Sequence, residues 1–336
     1  MSRGSAKARD TMLAMLSGYW YSQGLFVLAE LNIADHLANG PASSTALAKC
    51  CGADASALFR FLRAMADAGL VIQLDADLFG ATPLLDLLRD SHPASLRSLA
   101  RLGGHPLHWQ AWGQLLDNVQ TGRCAFETAH NMPFYNALAQ DPKAAALFAK
   151  VMQASDSIDK EILAVLEVPD RGQIADIGGS NGGLISKIIA KHPQLRGIVF
   201  DISIEDHQGR QNPSGGRVNH IQGDFLDTVP PGCEGYILKF VLHNWDDRRA
   251  ERILKNCSKA MNPNSRLFVV EGLLPEGSVS SYASRHDLNM MVLTNSKERS
   301  QADYQTLGAS AGLSPKGRID MVSGATILIF APASAL

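Results

Sequence analysis

The sequence predicts a two-part α/β protein, with a helical front ahead of a doubly wound, largely parallel sheet. Three observations carry that reading. From Arg171 onward, strand-like apolar runs alternate with helical stretches, which is the rhythm of βαβ units. Residues 10–105 instead repeat apolar side chains such as Met12, Leu16, Tyr19, Trp20, Leu25, Leu28 and Leu31 at three- and four-residue steps, the helical period. The chain is also 336 residues long, more than one ordinary core encloses.

In the front part, SSTALAKC predicts a short helix, Gly52 a turn, and residues 55–68 a second helix. GLVIQLDADLFGATP then reads as two strands around the polar turn DAD. Helix, turn, helix and hairpin together make a winged-helix-like pattern. Nucleic-acid binding is disfavoured, because residues 41–90 hold four basic side chains (Lys49, Arg60, Arg63, Arg89) against six aspartates. The apolar face marked by Leu16, Trp20, Phe26 and Leu28 suits a protein interface better, and predicts a homodimer through roughly the first hundred residues.

Composition narrows the class. At 46 % hydrophobic and 19 % charged, with a net charge of −2, the chain is globular and has no basic field for nucleic acid or an anionic membrane. The segment Met12–Leu31 is interrupted by Ser17, Ser22, Gln23, Gly24 and Glu30, so it is too polar to span a bilayer, and it lacks signal-peptide features. Five cysteines (50, 51, 124, 233, 257) show no CxxC spacing; a reduced, cytoplasmic setting is the expectation.

Residues 106–168 read as helical and aromatic-rich, with HWQAW, PFYNAL and LFAKVMQAS. Next comes the strand IADI (174–177), the loop GGSNGG and the helix LISKIIAKH. GIVFD (197–201), VNHI (218–221), YILKFVLH (236–243) and RLFVVE (266–271) supply four further strands, with a helix over 246–261, and residues 314–331 two more around SGA. The expected division is therefore 1–105, a helical linker 106–168, and 169–336.

The loop DIGGSNGG (176–183) lies between a strand and a helix, where backbone N–H groups meet a ligand. It lacks the spacing of the dinucleotide pattern, since position 180 is Ser. Asp176 opens the loop, Asp201 ends the next strand, and GDF (223–225) puts Asp224 and Phe225 at a third strand tip. A carboxylate at the second tip suits a ribose diol. An acceptor beside an aromatic face suits an adenine. KFVLHNWDD (239–247) closes the fourth strand on His243, at the edge where ligands gather in such sheets. Glu271 ends the fifth strand, which lies beside the fourth in this topology. Trp245 reads equally as a neighbour of the histidine or as core. Imidazole titrates near neutrality and suits proton removal from a phenol of pKa about 10. No two of the ten histidines stand at metal-ligand spacing around the acidic tips.

DIGGSNGG, FD, GDF, LKFVLHNWDD, VVEGLLP and SKERS occur in an order and spacing that resembles the class I S-adenosylmethionine-dependent methyltransferases. More closely, the chain is similar to the caffeic-acid-type O-methyltransferases of plants and their bacterial relatives that tailor aromatic natural products. The resemblance runs over nearly the whole chain. It implies a Rossmann-like methyltransferase sheet behind an N-terminal dimerisation domain, and S-adenosylmethionine as cofactor with no metal. It further implies cofactor contacts from Asp176, Gly178, Gly179, Asp201, Ile202, Asp224, Phe225 and Lys239. His243 falls on the family's general base, and Glu271 and Glu298 on the two glutamates that orient it. Trp109, Phe134, Met152, Asn289, Met290 and Thr294 come from segments that face the acceptor, with walls suited to a flat aromatic. Two departures stand out: Ser180 and Asn181 where a third glycine is common, and Asn244 where an aspartate often follows the histidine. The expected reaction is O-methylation of a phenolic secondary metabolite. The alternatives are an N- or C-methyl acceptor or a non-methylating reaction on the same fold and, from another class, a DNA-binding regulator.

Overall fold

The computed structural model describes residues 3–153, 156–202, 215–277 and 282–333. Two compact units divide the chain: Met1–Gln114 with Phe126–Ser155, and Leu115–Ala125 with Asp156–Leu336. The helical stretch 106–168 is thus shared between the units. None of the described helices is long and apolar enough to cross a membrane, and the five cysteines carry no disulfide.

In the first unit, the helix Ser44–Cys51 starts where Ser43 Oγ accepts the Ala46 N–H at 3.1 Å, satisfying an otherwise orphaned donor. Asp54 caps the helix Ala55–Asp67 in the same way. That helix buries Leu58, Leu62 and Met65, one face at four- and three-residue steps. Strands β1 (Val71–Asp75) and β2 (Leu78–Ala81) pair antiparallel, and Ala42 bridges to Phe79. Helix, helix and hairpin close over a core of Leu28, Leu47, Leu62, Phe79 and Leu85; each of these burials stabilises by about 1.5–3 kcal/mol.

The expected interface face needs correction here. Leu16 and Trp20 are exposed, but Leu28 is fully buried and Phe26 half-buried. Phe26 lies against Gly104, where an added Cβ would collide with its ring. The helix Gly18–Glu30 turns Leu28 into the core. The exposed apolar surface instead comprises Met12, Leu13, Met15, Leu16, Tyr19 and Trp20.

The second unit is built on one large sheet. Its strands are β3 (Gly172–Ile177), β4 (Leu195–Asp201), β5 (Val218–Gln222), β6 (Gly235–Lys239), β7 (Arg266–Leu274), β8 (Arg299–Ser300), β9 (Leu313–Asp320) and β10 (Ala325–Pro332). The order is β5-β4-β3-β6-β7-β10-β9, with β8 paired to the end of β7. β5, β4, β3, β6 and β7 run parallel, while β10 is antiparallel to both β7 and β9. One face packs on Leu184, Ile185, Ile188 and Ile189 of the helix Gly183–Lys191 and on Ile162. The other packs on the helices Asp247–Ala260 and Gln301–Ser310 through Ile253, Leu254, Tyr304 and Leu307. This three-layer arrangement brings Asp176, Asp201, Asp224, Lys239 and Glu271 to one edge, at or near the carboxyl ends of parallel strands.

The fourth strand of the parallel set ends earlier than its apolar run predicts. β6 stops at Lys239, Phe240 takes φ +53°, and Leu242–Asn244 form a single 3-10 turn. A left-handed phenylalanine costs of order 1–3 kcal/mol and persists only where its surroundings impose it. Here Phe240 N–H bonds to the Val270 carbonyl, and Asn244 Nδ2 donates to the Phe240 carbonyl at 3.0 Å. An aspartate at 244 would lack that N–H, so this departure from the family pattern has a structural use.

Candidate active site

The glycine loop leaves β3 through Gly178, whose φ is +72° and whose N–H bonds to the Phe200 carbonyl at 2.8 Å. A Cβ on Gly178 would lie 2.7 Å from Val241, and one on Gly179 2.7 Å from the Asp176 carboxyl carbon. The floor of the loop therefore admits no side chain. Ser180 N–H donates to Asp201 Oδ2 at 2.8 Å, tying the loop to the tip of β4. Asn181 Oδ1 accepts the Gly183 N–H at 3.0 Å, a side-chain bond across the turn that a glycine could not provide. Asp176 is buried, and burial pushes its carboxyl up to about 7; Lys239 opposes that rise while Asp159 and Asp201 add to it. Lys239 Nζ meets Asp159 at 2.5 Å, and Lys187 reaches the other oxygen at 2.9 Å. Asp224 accepts the Leu226 N–H at 2.8 Å. Phe225 is buried edge-on to Trp245, whose other neighbour is the Arg249 guanidinium. Ile202 is exposed beside this edge. Trp245 thus packs with Phe225 and the sheet core.

His243 sits on the 3-10 turn, nearly buried, between two flat neighbours: Phe240 with ring centroids 5.8 Å away and His286 at 5.9 Å. Its Nδ1 lies 3.0 Å from Glu298 Oε1 and 3.5 Å from Glu271 Oε2. Only the shorter contact has hydrogen-bond geometry, so Glu298 holds the ring nitrogen. Glu271 instead clamps the turn, with Oε1 accepting the N–H groups of Leu242 (2.9 Å) and His243 (3.3 Å). His286 Nδ1 meets the same Glu298 oxygen at 2.8 Å. Asp287 accepts the Glu298 N–H at 2.7 Å, fixing the chain that carries the carboxylate.

The electrostatics follow from this crowding. Burial raises both glutamates, but the hydrogen bonds from His243 and His286 reverse the effect for Glu298 and bring it to about 2. Glu271 stays up at about 7, burial outweighing the imidazole of His243. For His243, burial opposes the charged form, yet Glu271 and then Glu298 overcome it and hold the imidazole above its ordinary value, with Arg299 acting against them. An ionised carboxylate only accepts hydrogen bonds. Both Nδ1 atoms on Glu298 therefore carry hydrogen, and Nε2 of His243 keeps the basic lone pair when the ring is neutral. Although no histidine pair stands at ligand spacing in the sequence, folding brings His243, His286 and Glu298 within 4.8 Å of one another. Both rings use the carboxylate as a hydrogen-bond acceptor.

Four residues in this region were not picked out by sequence reasoning: Asp159, His286, Asp287 and Arg299. Arg299 is fully buried and donates to the carbonyls of Leu242 (2.9 Å) and Trp245 (2.6 Å) and to Asp247 (2.9 Å). The SKERS motif contained it, but a charged residue beside a glutamate reads as surface. His286 is three positions before Asn289, hence on the same helix face. The acceptor candidates divide between the units. In the first, Trp109 and Met152 are exposed, and Phe134 is buried in a cluster with Phe126 and Phe148. In the second, the helix Tyr282–Thr294 carries Asn289, the buried Met290, and Thr294, whose hydroxyl bonds to the Met290 carbonyl.

Comparison with known proteins identifies the family. Residues 112–314 match the O-methyltransferase domain family, and residues 13–91 the O-methyltransferase dimerisation domain. The chain is 35 % identical to the phenazine O-methyltransferase PhzM of Lysobacter antibioticus, over 97 % of this chain and 96 % of that one. The solved structure of the mitomycin 7-O-methyltransferase MmcR superposes with a TM-score of 0.91 at 32 % identity, covering 98 % and 99 % of the two chains. The O-methyltransferase NcsB1 from neocarzinostatin biosynthesis, solved with S-adenosylmethionine and 2-hydroxy-5-methyl naphthoic acid, has a TM-score of 0.80 at 29 % identity over 93 % and 96 %. The bare floor of the glycine loop and the carboxylate at the tip of β4 fit S-adenosylmethionine. The chain belongs to the caffeic-acid-type O-methyltransferase family and is an S-adenosylmethionine-dependent O-methyltransferase.

Proposed function

We infer that this enzyme methylates a hydroxyl of a small aromatic, phenolic secondary metabolite, with His243 as general base. The observation that carries this reading is the hydrogen bond of His243 Nδ1 to a buried, ionised Glu298. It fixes the tautomer, leaves Nε2 to take the hydroxyl proton, and favours the imidazolium that results. Glu271 holds the turn on which the ring sits, so the two glutamates divide ring and backbone between them.

S-adenosylmethionine supplies an electrophilic methyl group when bound. Residues proposed to hold it are Gly178 and Gly179 under the chain, Asp201 on the ribose diol, and Ile202, Asp224 and Phe225 around the adenine. Asp176 and Lys239 lie deeper, within a charge cluster that Asp159 completes. Trp109, Phe134, Met152, Asn289, Met290 and Thr294 are proposed acceptor contacts. We assign the exposed residues Met12, Leu16, Tyr19 and Trp20 to a homodimer interface, which light scattering at micromolar protein checks through the mass. The activity is tested by methyl transfer from labelled S-adenosylmethionine to a panel of phenols, naphthols and phenazines, with matched aryl amines as controls. Methylation of the amines alone would overturn the hydroxyl assignment.

A further inference from the structure

We propose that His286 is a positioning residue for the base. By donating its own Nδ1–H to the Glu298 oxygen that His243 uses, it keeps that carboxylate from holding the proton on His243 too tightly. The inference rests on the reading of His243 as general base.

The shared oxygen is the central observation. Glu298 Oε1 lies 3.0 Å from His243 Nδ1 and 2.8 Å from His286 Nδ1, so the shorter bond belongs to the residue with no proposed part in proton removal. The rings are near-parallel, 28° between planes, which holds His286 in register with His243. The backbone reinforces this, because Asp287, next in the chain, accepts the Glu298 N–H. Charged and titratable groups face His243 from three sides: Glu271 of β7, Glu298 with Arg299 at β8, and His286 from the helix Tyr282–Thr294. Two of these are carboxylates, and both favour the imidazolium. A base bearing a proton at working pH cannot accept another. A second donor on Glu298 draws off part of that carboxylate's field. Arg299 weakens the same pull from its place beside Glu298.

The test compares His286→Phe, which keeps a flat ring but removes the donor, with His286→Asn, whose amide restores one near the Nδ1 position. His243 is titrated by NMR in the whole enzyme with labelled histidine, and kcat/KM is followed against pH. His286→Phe is expected to raise the His243 midpoint by about 0.5–1 unit, the scale of one charge-assisted hydrogen bond partly lost to water. The acid limb of kcat/KM should move alkaline by the same amount, with the high-pH plateau within about threefold of wild type. His286→Asn should restore the wild-type midpoint. His286→Leu, also without a donor, gives the same reading if the Phe variant does not fold. An unchanged or lowered His243 midpoint in the donor-free variants overturns the proposal. So does a loss of rate equal at every pH, which would leave His286 a packing role. The NMR midpoint does not depend on turnover. A His243→Gln enzyme of wild-type rate would therefore remove the general-base reading while leaving the coupling separately measured.

Discussion

Arg299 Nη1 donates to the carbonyl of Leu242 at 2.9 Å, so a side chain 57 positions away fixes the turn that carries His243. The guanidinium also holds the Trp245 carbonyl and sits over the Tyr304 ring, with its own side chain fully excluded from water. Three carbonyl and carboxylate partners in a fixed fork suit arginine and not lysine. Arg299→Ala takes the guanidinium from both carbonyls, leaving that of Leu242 only the Trp245 N–H at 3.2 Å, and should lower unfolding free energy by roughly 3 kcal/mol. Arg299→Lys should recover part of that stability and less of the activity, because the turn loses its second carbonyl contact. Chemical denaturation and kcat on the same preparations test both statements.

The two glutamates predict unequal costs. Glutamine at 271 still accepts the N–H groups of Leu242 and His243 and resembles the protonated acid, towards which burial pushes this carboxyl. Glu271→Gln should therefore cost only about tenfold in kcat. Glu298→Gln removes the charge that faces Nδ1 and should cost about 100- to 1,000-fold. The sign of the pH effect also follows. Glu298 raises the His243 pKa, so its loss lowers it, and the acid limb of kcat/KM moves to lower pH even as the plateau falls. Equal losses for the two variants would contradict the division of labour between ring and backbone.

Asp201 predicts a cofactor phenotype with a structural component. Its Oδ2 holds the Ser180 N–H, so Asp201→Ala loosens the glycine loop and also removes the proposed ribose partner. Affinity for S-adenosylhomocysteine should fall about 10- to 100-fold, the worth of one or two charge-assisted hydrogen bonds. Asp201→Asn should fall between the two. Calorimetry measures all three, and an unchanged dissociation constant for the alanine variant rules the assignment out.

Much of this was legible in the sequence because hydrophobic period and strand-tip position are local signals. The parallel set of strands and the meeting of β6 with β7 follow from them, and put Asp176, Asp201, Asp224 and Lys239 on one edge. What escaped is set by contacts between distant segments. The apolar run through residue 243 gives no sign that Phe240 turns left-handed, because that turn is stabilised by Val270 and by Asn244. Leu28 belongs to the same helical period as exposed Trp20, and only the core it meets separates them. Arg299 and His286 look like surface polar residues until the fold closes around them. A buried charge shows in sequence only when its partner is near, and Leu242 and Trp245 lie more than fifty positions upstream of Arg299.

The general-base assignment makes the sharpest prediction. His243→Gln removes the basic nitrogen but leaves the glycine loop, Asp201 and Asp224 untouched, so affinity for S-adenosylhomocysteine should stay within about twofold of wild type. Turnover of a phenol should fall by about two to four orders of magnitude, the usual contribution of a positioned base. The pH dependence separates this from general damage. In the wild-type enzyme the carboxylates hold the His243 pKa above its ordinary value, so the reactive neutral ring dominates only as pH rises through that raised value. The variant has no such limb, and its residual rate should track ionisation of the acceptor itself. With an acidic phenol at high pH the deficit should therefore shrink, since an oxygen already ionised needs no base. A folded His243→Gln enzyme that binds cofactor and methylates at wild-type rate would leave the histidine only its place in the turn. That result would move the acceptor atom towards one with no proton to lose.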